Sequence, residues 1–420
     1  MRIPLPILPL LCALWLSPAS AAERALGSNL GGLLDYAREH NPELAATRYE
    51  AEAAQQRIES TGSLPDPVLR TELQDITKQG TQNPAFSPYQ TGGTRYLLTQ
   101  SLPWYGKRDL QRSLAAAQSD QAKGQTAASW ADLVGRIKSA YAMSYYLNAN
   151  ERLTQQTLSL LNDLEQIVRT RYANGLGSQQ DVIRVQVETT TQLGELIGLQ
   201  NESHHAHALL NSLLSRPVNA PLAEPAQLHA LPTAAQLDEN ALLERLRAHN
   251  PQLQIAEAQI QSADKSRELA YANRYPGITF GVAPTQFGSA IKSWDLMLEF
   301  SIPLQQSARR SQEHEAEALL DAANARKQSA LNQVESGLSE NLSALESARR
   351  TEMLITSRLL PQSELTYQSA RAGYETGKVD FSTLIDAQRQ ILQARQQQLK
   401  AQFEAQSRLA DIEKLLGEEL

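Results

Sequence analysis

Two polar clusters have side chains that could bind a metal ion. His204 and His207 share one helix face beside His205, and paired imidazoles can bind a divalent metal. No carboxylate lies four residues beyond either histidine, so an exposed helix face explains them better. The charged run at residues 313–317 is typical of a solvated surface. We also find no phosphate-binding loop and no nucleophile elbow. The sequence therefore predicts no metal site, no cofactor and no enzymatic activity.

A glycine-containing turn occurs twice, and each copy is followed by polar residues and renewed apolar periodicity. Gly175 in the first copy and Gly377 in the second can adopt the left-handed conformation that ends a helix. The residues that could cap the following helices are Ser178, Asp380 and Ser382. Residues 172–183 and 374–386 are therefore predicted to be the tips of two helical hairpins.

Several landmarks recur roughly 200 residues apart, which indicates an internal duplication. Asn41-Pro42 recurs as Asn250-Pro251, and Ser101-Leu102-Pro103 recurs as Ser301-Ile302-Pro303. We place the repeats at residues 28–216 and 236–420, with a proline-rich linker at 217–235. Each repeat is predicted to contain a helix broken at its Asn-Pro, two strands, a long helix and a returning helix.

The predicted strands lie at about residues 66–78, 94–102, 276–286 and 292–302. The last is the clearest, because the side chains from Trp294 to Ile302 alternate between an apolar and a largely polar face. A hairpin on a soluble core would give the same pattern. The tryptophan on the apolar face and a length near the ~9–11 residues of a tilted membrane strand favour a membrane barrel. Four strands cannot close a barrel, for which roughly eight is the minimum, so copies of the chain must assemble.

The predicted helices are too long for a compact domain. Pro361 is the only proline from Gln306 to Tyr374, and such a helix would be on the order of 100 Å long. Its counterpart runs from about Gly106 to Tyr172. The last helix carries a seven-residue apolar repeat at Ile385, Leu392 and Leu399. This thin apolar seam predicts a coiled coil or a helical barrel.

The amino terminus predicts secretion. Residues 1–22 combine a basic start, a short apolar run and Ala19-Ser20-Ala21, which is typical of a signal peptide. Cys12 lies inside this segment, and Leu11 before it disfavours lipid attachment. The formal net charge of −7 argues against a nucleic-acid partner. After residue 22 no apolar run has the length of a membrane helix.

The order of elements, duplicated after a signal peptide, resembles the TolC family of outer-membrane efflux and secretion channels. The two tips, the paired Asn-Pro sequences and residues 100–108 carry this resemblance. It implies a mainly α-helical homotrimer in the outer membrane of a Gram-negative bacterium. Three chains would form a twelve-stranded β-barrel in the lipid, continued by a periplasmic α-helical barrel. It also implies a periplasmic adaptor and an inner-membrane pump of the RND or a related type as partners.

The resemblance also implies roles for individual tip residues. Asp181 and Tyr374 match the closed-state link between neighbouring hairpins, and Asp386 matches one of two acidic positions that ring the aperture. The other acidic position falls on Thr383, which leaves the cation selectivity of the gate open. The residues expected to meet the adaptor are Gly175, Gly177, Ser178, Gly377 and Lys378.

A ring of Asp386 is also reasonable on physical grounds. Three copies around a threefold axis would repel one another and attract a cation. The simpler alternative is a solvated carboxylate stabilised by a helix N-terminus. The corresponding alternatives are a first-turn carboxylate for Asp181 and tip packing for Tyr374.

We therefore predict the passive exit duct of a tripartite efflux system. The Trp104-Tyr105-Gly106-Lys107 corner resembles the strand-to-helix corner of family members encoded near metal-efflux operons, and this resemblance implies metal ions or small toxic molecules as cargo. Two alternatives stay open, namely a soluble periplasmic coiled-coil adaptor or scaffold and the outer-membrane channel of a type I protein secretion system. The sequence does not identify the cargo, the adaptor or the pump.

Overall fold

The computed structural model describes residues 26–77, 80 and 83–420. The predicted signal peptide and Cys12 lie outside the described residues. The first repeat contains α1 (Leu30–His40), α2 (Pro42–Thr61), β1 (Val68–Gln74), β2 (Gly93–Leu102), α3 (Lys107–Ala173) and α4 (Gln179–Leu213). The second contains α5 (Glu239–His249), α6 (Pro251–Ala272), β3 (Gly277–Phe287), β4 (Ala290–Ser301), α7 (Gln306–Leu354), α8 (Leu360–Glu375) and α9 (Phe381–Leu416).

The predicted Asn-Pro breaks are present in both repeats, and each one ties distant parts of its repeat together. The Asn41 side chain caps α2 by accepting from Leu44 N at 3.0 Å, and its Nδ2 donates to Leu213 O at 3.0 Å. Asn250 caps α6 in the same way, and its Nδ2 donates to Leu415 O at 2.6 Å. The start of each repeat is thereby joined to the end of its returning helix.

The four strands form one antiparallel sheet in the order β1-β2-β3-β4. One face is apolar across the sheet, because the pairing aligns Leu69, Leu98, Val282 and Leu296 in a single row. Strand β1 is shorter than the predicted 66–78, since Asp75 takes a φ of 46° and the chain turns there. Within the described residues, β1 and β4 each pair with one neighbour, so both edges of the sheet are open.

The long helix of the second repeat is not one regular α-helix. Residues Ile355–Leu359 form a π-helical turn between α7 and α8, in which Leu360 N donates to Ile355 O. Pro361 lies just beyond, and its ring would clash with a carbonyl of the preceding turn in a regular helix. The wide turn accommodates the ring. The expectation of an uninterrupted helix is therefore wrong here, whereas α3 is continuous over 67 residues.

Helix α3 is the central element of the helical part. It packs against α4, α9, α2 and α6, while α7 packs against α6 and α9. Within the described residues the helices thus form a row, and no further helix packs along the outer sides of α4 and α7. Across the described residues, no helix combines the length and apolar character needed to span a bilayer.

Candidate functional site: the paired hairpin tips

The two tips share one backbone conformation. In the first, Gly175 has a φ of +71° and Leu176 N donates to Arg171 O at 2.8 Å. In the second, Gly377 has a φ of +70° and Lys378 N donates to Gly373 O at 2.8 Å. This is the Schellman arrangement, which satisfies the last carbonyls of a helix with a left-handed glycine.

The helices that follow the two tips are capped differently. Ser178 Oγ accepts from Asp181 N at 3.2 Å, and the Asp181 carboxylate accepts from Ser178 N at 3.4 Å, which is a complete capping box. The prediction for the second tip is wrong, because the Asp380 side chain makes no capping hydrogen bond at the start of α9 in the described structure. Ser382 already lies within α9, whose first residue is Phe381.

Tyr374 joins the two hairpins. Its side chain is 5 % exposed and packs in a cluster with Leu164 and Val168 of α3. The Phe381 ring lies 5.3 Å away, and the Arg171 guanidinium of the first hairpin lies 4.8 Å above the Tyr374 ring. The equivalent residue of the first tip, Tyr172, is 49 % exposed. Only one of the two related tyrosines is therefore used for packing.

The electrostatic environment keeps Tyr374 neutral. Burial raises the pKa of its hydroxyl, the Asp181 carboxylate raises that pKa further, and the Arg171 guanidinium opposes both effects. The hydroxyl is buried and has no hydrogen-bond partner in the described part of the chain. The Asp181 carboxylate therefore acts on the pKa of the Tyr374 hydroxyl without a hydrogen bond to it, while Asp181 is hydrogen-bonded within its own capping box.

The remaining predicted gate residues are at the surface of α9. The Asp386 side chain is 65 % exposed and lies 3.6 Å from Arg389 Nη1. Thr383 is exposed, and its backbone N–H donates to Asp380 O at 3.1 Å. Four of the residues expected to meet an adaptor, Gly175, Ser178, Gly377 and Lys378, are exposed, and Gly177 is half-buried.

A second link between the hairpins was missed at the level of sequence. Arg389 Nε of α9 donates to Glu188 Oε2 of α4 at 2.9 Å, and Glu188 is buried. The partners lie 201 residues apart, so their spacing carries no local signal. The sequence of α4 did contain one indication of this link, because Glu188 lies three residues after Val185 and therefore on the same, buried face of the helix. A carboxylate on such a face needs a partner.

The described residues contain no group of three or more His, Cys, Asp or Glu side chains that could hold a metal ion. The His204 and His205 rings lie 6.4 Å apart. His207 has a buried Nε2 without a hydrogen-bond partner among the described residues. The tips contain carboxylates, aromatic rings and guanidinium groups, an arrangement suited to holding helices together rather than to bond-making chemistry.

The fold is that of solved outer-membrane channels. The chain superposes on VceC from Vibrio cholerae with a TM-score of 0.79 and 18 % identity, covering 93 % of this chain and 96 % of that one. The open-state MtrE channel from Neisseria gonorrhoeae gives a TM-score of 0.76 with 17 % identity, over 99 % of this chain and 98 % of that one. The predicted combination of a helical barrel and a strand domain is confirmed.

Residues 33–216 and 242–418 match the outer membrane efflux protein family, so the chain belongs to that family. The pyoverdine export outer membrane protein OpmQ of Pseudomonas putida is 24 % identical over 96 % of this chain and 91 % of its own. The cobalt-zinc-cadmium resistance protein CzcC of Cupriavidus metallidurans is 22 % identical over 95 % of this chain and 92 % of its own. The predicted outer-membrane efflux function and location are confirmed, and the family consists of channels rather than enzymes.

Proposed function

We propose that three copies of this chain assemble into a passive exit duct. The open-edged sheet carries this proposal. Its apolar face is exposed, as at Trp294 with 69 % exposure, while β1 and β4 each lack one neighbour within the described residues. Pairing β4 of one copy with β1 of the next would give twelve strands in a closed barrel with lipid-facing apolar side chains.

The helices support the same assembly. Val187 and Ile197 are exposed apolar residues on α4, and Met353 and Leu365 are exposed on the α7–α8 side. Threefold assembly would place α4 of one copy beside α7 and α8 of the next, removing these residues from water. The result would be a periplasmic tunnel of twelve helices that continues the barrel.

The proposed cargo is based on the relatives, and the proposed adaptor contact is based on the exposed tips. Relatives are named for pyoverdine export, for cobalt, zinc and cadmium resistance and for toluene efflux. Metal ions or small toxic molecules are therefore the proposed cargo, ahead of proteins. The exposed tip residues would meet a periplasmic adaptor, and an inner-membrane pump of the RND or a related type would supply the energy.

The gate of the duct would lie at the tips. Tyr374 and Asp181 would hold neighbouring hairpins together in the closed state. Three copies of Asp386 would form an acidic ring, with Thr383 leaving the neighbouring ring uncharged. Opening would separate the hairpins at the Tyr374 cluster and at the Glu188–Arg389 ion pair.

Fractionation and light scattering test the assembly. We expect the protein in the outer-membrane fraction, extracted only by detergent, with a protein mass in the micelle equal to three chains. Release by osmotic shock as a monomer would contradict the proposal and would instead support a soluble scaffold.

A further inference from the structure

We propose that a polar groove between α4 and α9 binds a linear polyamine whose ammonium groups pair with Glu195 and Glu202. This site is separate from the tips and does not depend on the proposed gate. The groove has a volume of about 530 Å³, within the usual range for small-molecule sites. Its floor is formed by Tyr146 and Asn150 of α3, and its walls by residues of α4 and α9.

Two contacts define the ends of the groove. Toward the tips, α4 and α9 are joined by the Glu188–Arg389 ion pair. Toward the strands, the rings of Tyr146 and Phe403 lie 5.6 Å apart. Both α4 and α9 pack far more extensively against α3 than against each other. Gly198 leaves the α4 wall open, since a Cβ added there would meet nothing within 4 Å.

The lining is rich in oxygen acceptors. Glu195 and Glu202 line the α4 wall, and the α9 wall contributes the amides of Gln393, Gln396 and Gln397. The one lysine of the lining, Lys400, lies 4.0 Å from the Glu404 carboxylate. Cations that carry several N–H donors are the ligands that match such a surface.

Asn150 gives an independent indication of a ligand. It is 4 % exposed, lines the groove, and its Oδ1 has no hydrogen-bond partner in the described chain. A buried polar atom without a partner is costly, and natural structures rarely leave one unexplained. An ammonium donor that reached this buried oxygen would supply the missing hydrogen bond.

The groove also has a negative electrostatic environment. Burial raises the pKa of the Tyr146 hydroxyl, and the Glu202, Glu195 and Glu404 carboxylates raise it further, whereas a hydrogen bond from Asn150 lowers it. Three carboxylates thus act on the Tyr146 hydroxyl, although Lys400 also lines the groove. A cation entering the groove would be stabilised by the same carboxylates.

The spacing of the carboxylates selects an extended cation over a metal ion. Glu195 and Glu202 are seven residues apart on α4, which is about 10 Å along the helix axis. That separation is too large for both to ligate one ion, and the described residues hold no metal-binding group of three. Two ammonium groups on a flexible aliphatic chain can span this distance.

Calorimetry on the purified full-length oligomer in detergent tests the proposal, with spermidine as the probe at low ionic strength. We expect saturable binding with one site per chain. The double variant Glu195→Gln/Glu202→Gln should weaken it at least tenfold. The matched control Glu52→Gln/Glu59→Gln, which has the same spacing on α2 outside the groove, should change the Kd less than twofold.

Two further measurements guard against loss of folding and against a general ion effect. Gly198→Leu keeps both carboxylates but fills the groove, so it should also weaken spermidine binding at least tenfold in an intact oligomer. 1,8-Diaminooctane should bind more tightly than 1,3-diaminopropane, since only the longer diamine can reach both carboxylates. Absent binding, equal losses in the two double variants, or unaltered binding by Gly198→Leu would each overturn the proposal.

Discussion

Tyr374 illustrates how one residue can hold two hairpins together without a hydrogen bond from its side chain. The ring fills a buried cluster made by both hairpins and lies under the Arg171 guanidinium, while the hydroxyl has no partner within the described residues. The contact between the two hairpins of one chain therefore depends on the volume of this side chain.

Substitutions at Tyr374 separate packing from hydrogen bonding. Tyr374→Ala would leave a cavity at a cost of about 3–5 kcal/mol, so we expect a higher conductance in planar bilayers. Tyr374→Phe keeps the ring and should leave the conductance close to that of the unaltered protein. If Tyr374→Phe opened the channel as much as Tyr374→Ala, a hydroxyl contact with another copy would be the important link instead.

The Glu188–Arg389 pair is a second residue-scale link. Arg389→Ala would leave a buried carboxylate unpaired, and we expect it to loosen the hairpins and raise the conductance. The double variant Glu188→Gln/Arg389→Gln removes both charges and should recover part of the closed behaviour. Arg395→Ala is the control, since it breaks the more exposed contact with Glu364 on the same hairpin. Equal effects of Arg389→Ala and Arg395→Ala would contradict a special role for the buried pair.

Cation block tests the proposed acidic ring. Asp386→Asn should weaken block by divalent cations added from the periplasmic side, because three negative charges would be lost from the aperture. Thr383→Asp should strengthen the block by adding a second ring. Block that is unchanged in both variants would remove these positions from the aperture.

At the scale of elements, the two Asn-Pro junctions make the same pair of hydrogen bonds. Each asparagine caps one helix and donates to the end of the returning helix, so the duplication is visible in hydrogen bonds as well as in sequence. The two asparagines are buried. A lost partner would therefore leave a buried polar group unsatisfied.

Asn250→Ala should lower the stability of the oligomer. It removes a helix cap and leaves the Leu415 carbonyl without its donor, which together cost about 2–3 kcal/mol. Thermal dissociation followed by gel electrophoresis would measure the loss. Asn250→Asp keeps a capping oxygen but loses the donor, so its effect should be intermediate. A dissociation temperature unchanged by Asn250→Ala would show that neither bond limits stability.

At the scale of the whole molecule, neighbouring positions of β4 should respond differently to charge. Leu298 lies on the exposed apolar face and Glu299 on the opposite face. Leu298→Lys should cost about 2–4 kcal/mol if that face contacts lipid, and it should reduce the amount of oligomer in the outer membrane. Glu299→Lys should leave assembly intact. Equal loss in the two variants would argue against a lipid-facing sheet.

Much of this molecule could be predicted from the sequence because its signals are local or periodic. The glycine tips, the Asn-Pro breaks and the alternation from Trp294 to Ile302 all depend on backbone preference or on side-chain period, which act over a few residues. The duplication added a second observation of each signal. The long helices and the strand pairs were therefore predictable, although β1 was expected to be longer than it is.

The burial of side chains and the pairing of charges were determined only by the tertiary structure, because they involve residues that are distant in the chain. Tyr374 and Tyr172 occupy equivalent positions in the two tips, yet Tyr374 is buried and Tyr172 is exposed. Tyr374 packs against α3 and under the Arg171 guanidinium, both of which belong to the other hairpin. Glu188 is paired through Arg389, 201 residues away, and the α4–α9 groove exists only because two hairpins meet at its ends. Local preferences determine which elements form, whereas burial and charge pairing are properties of the packed elements.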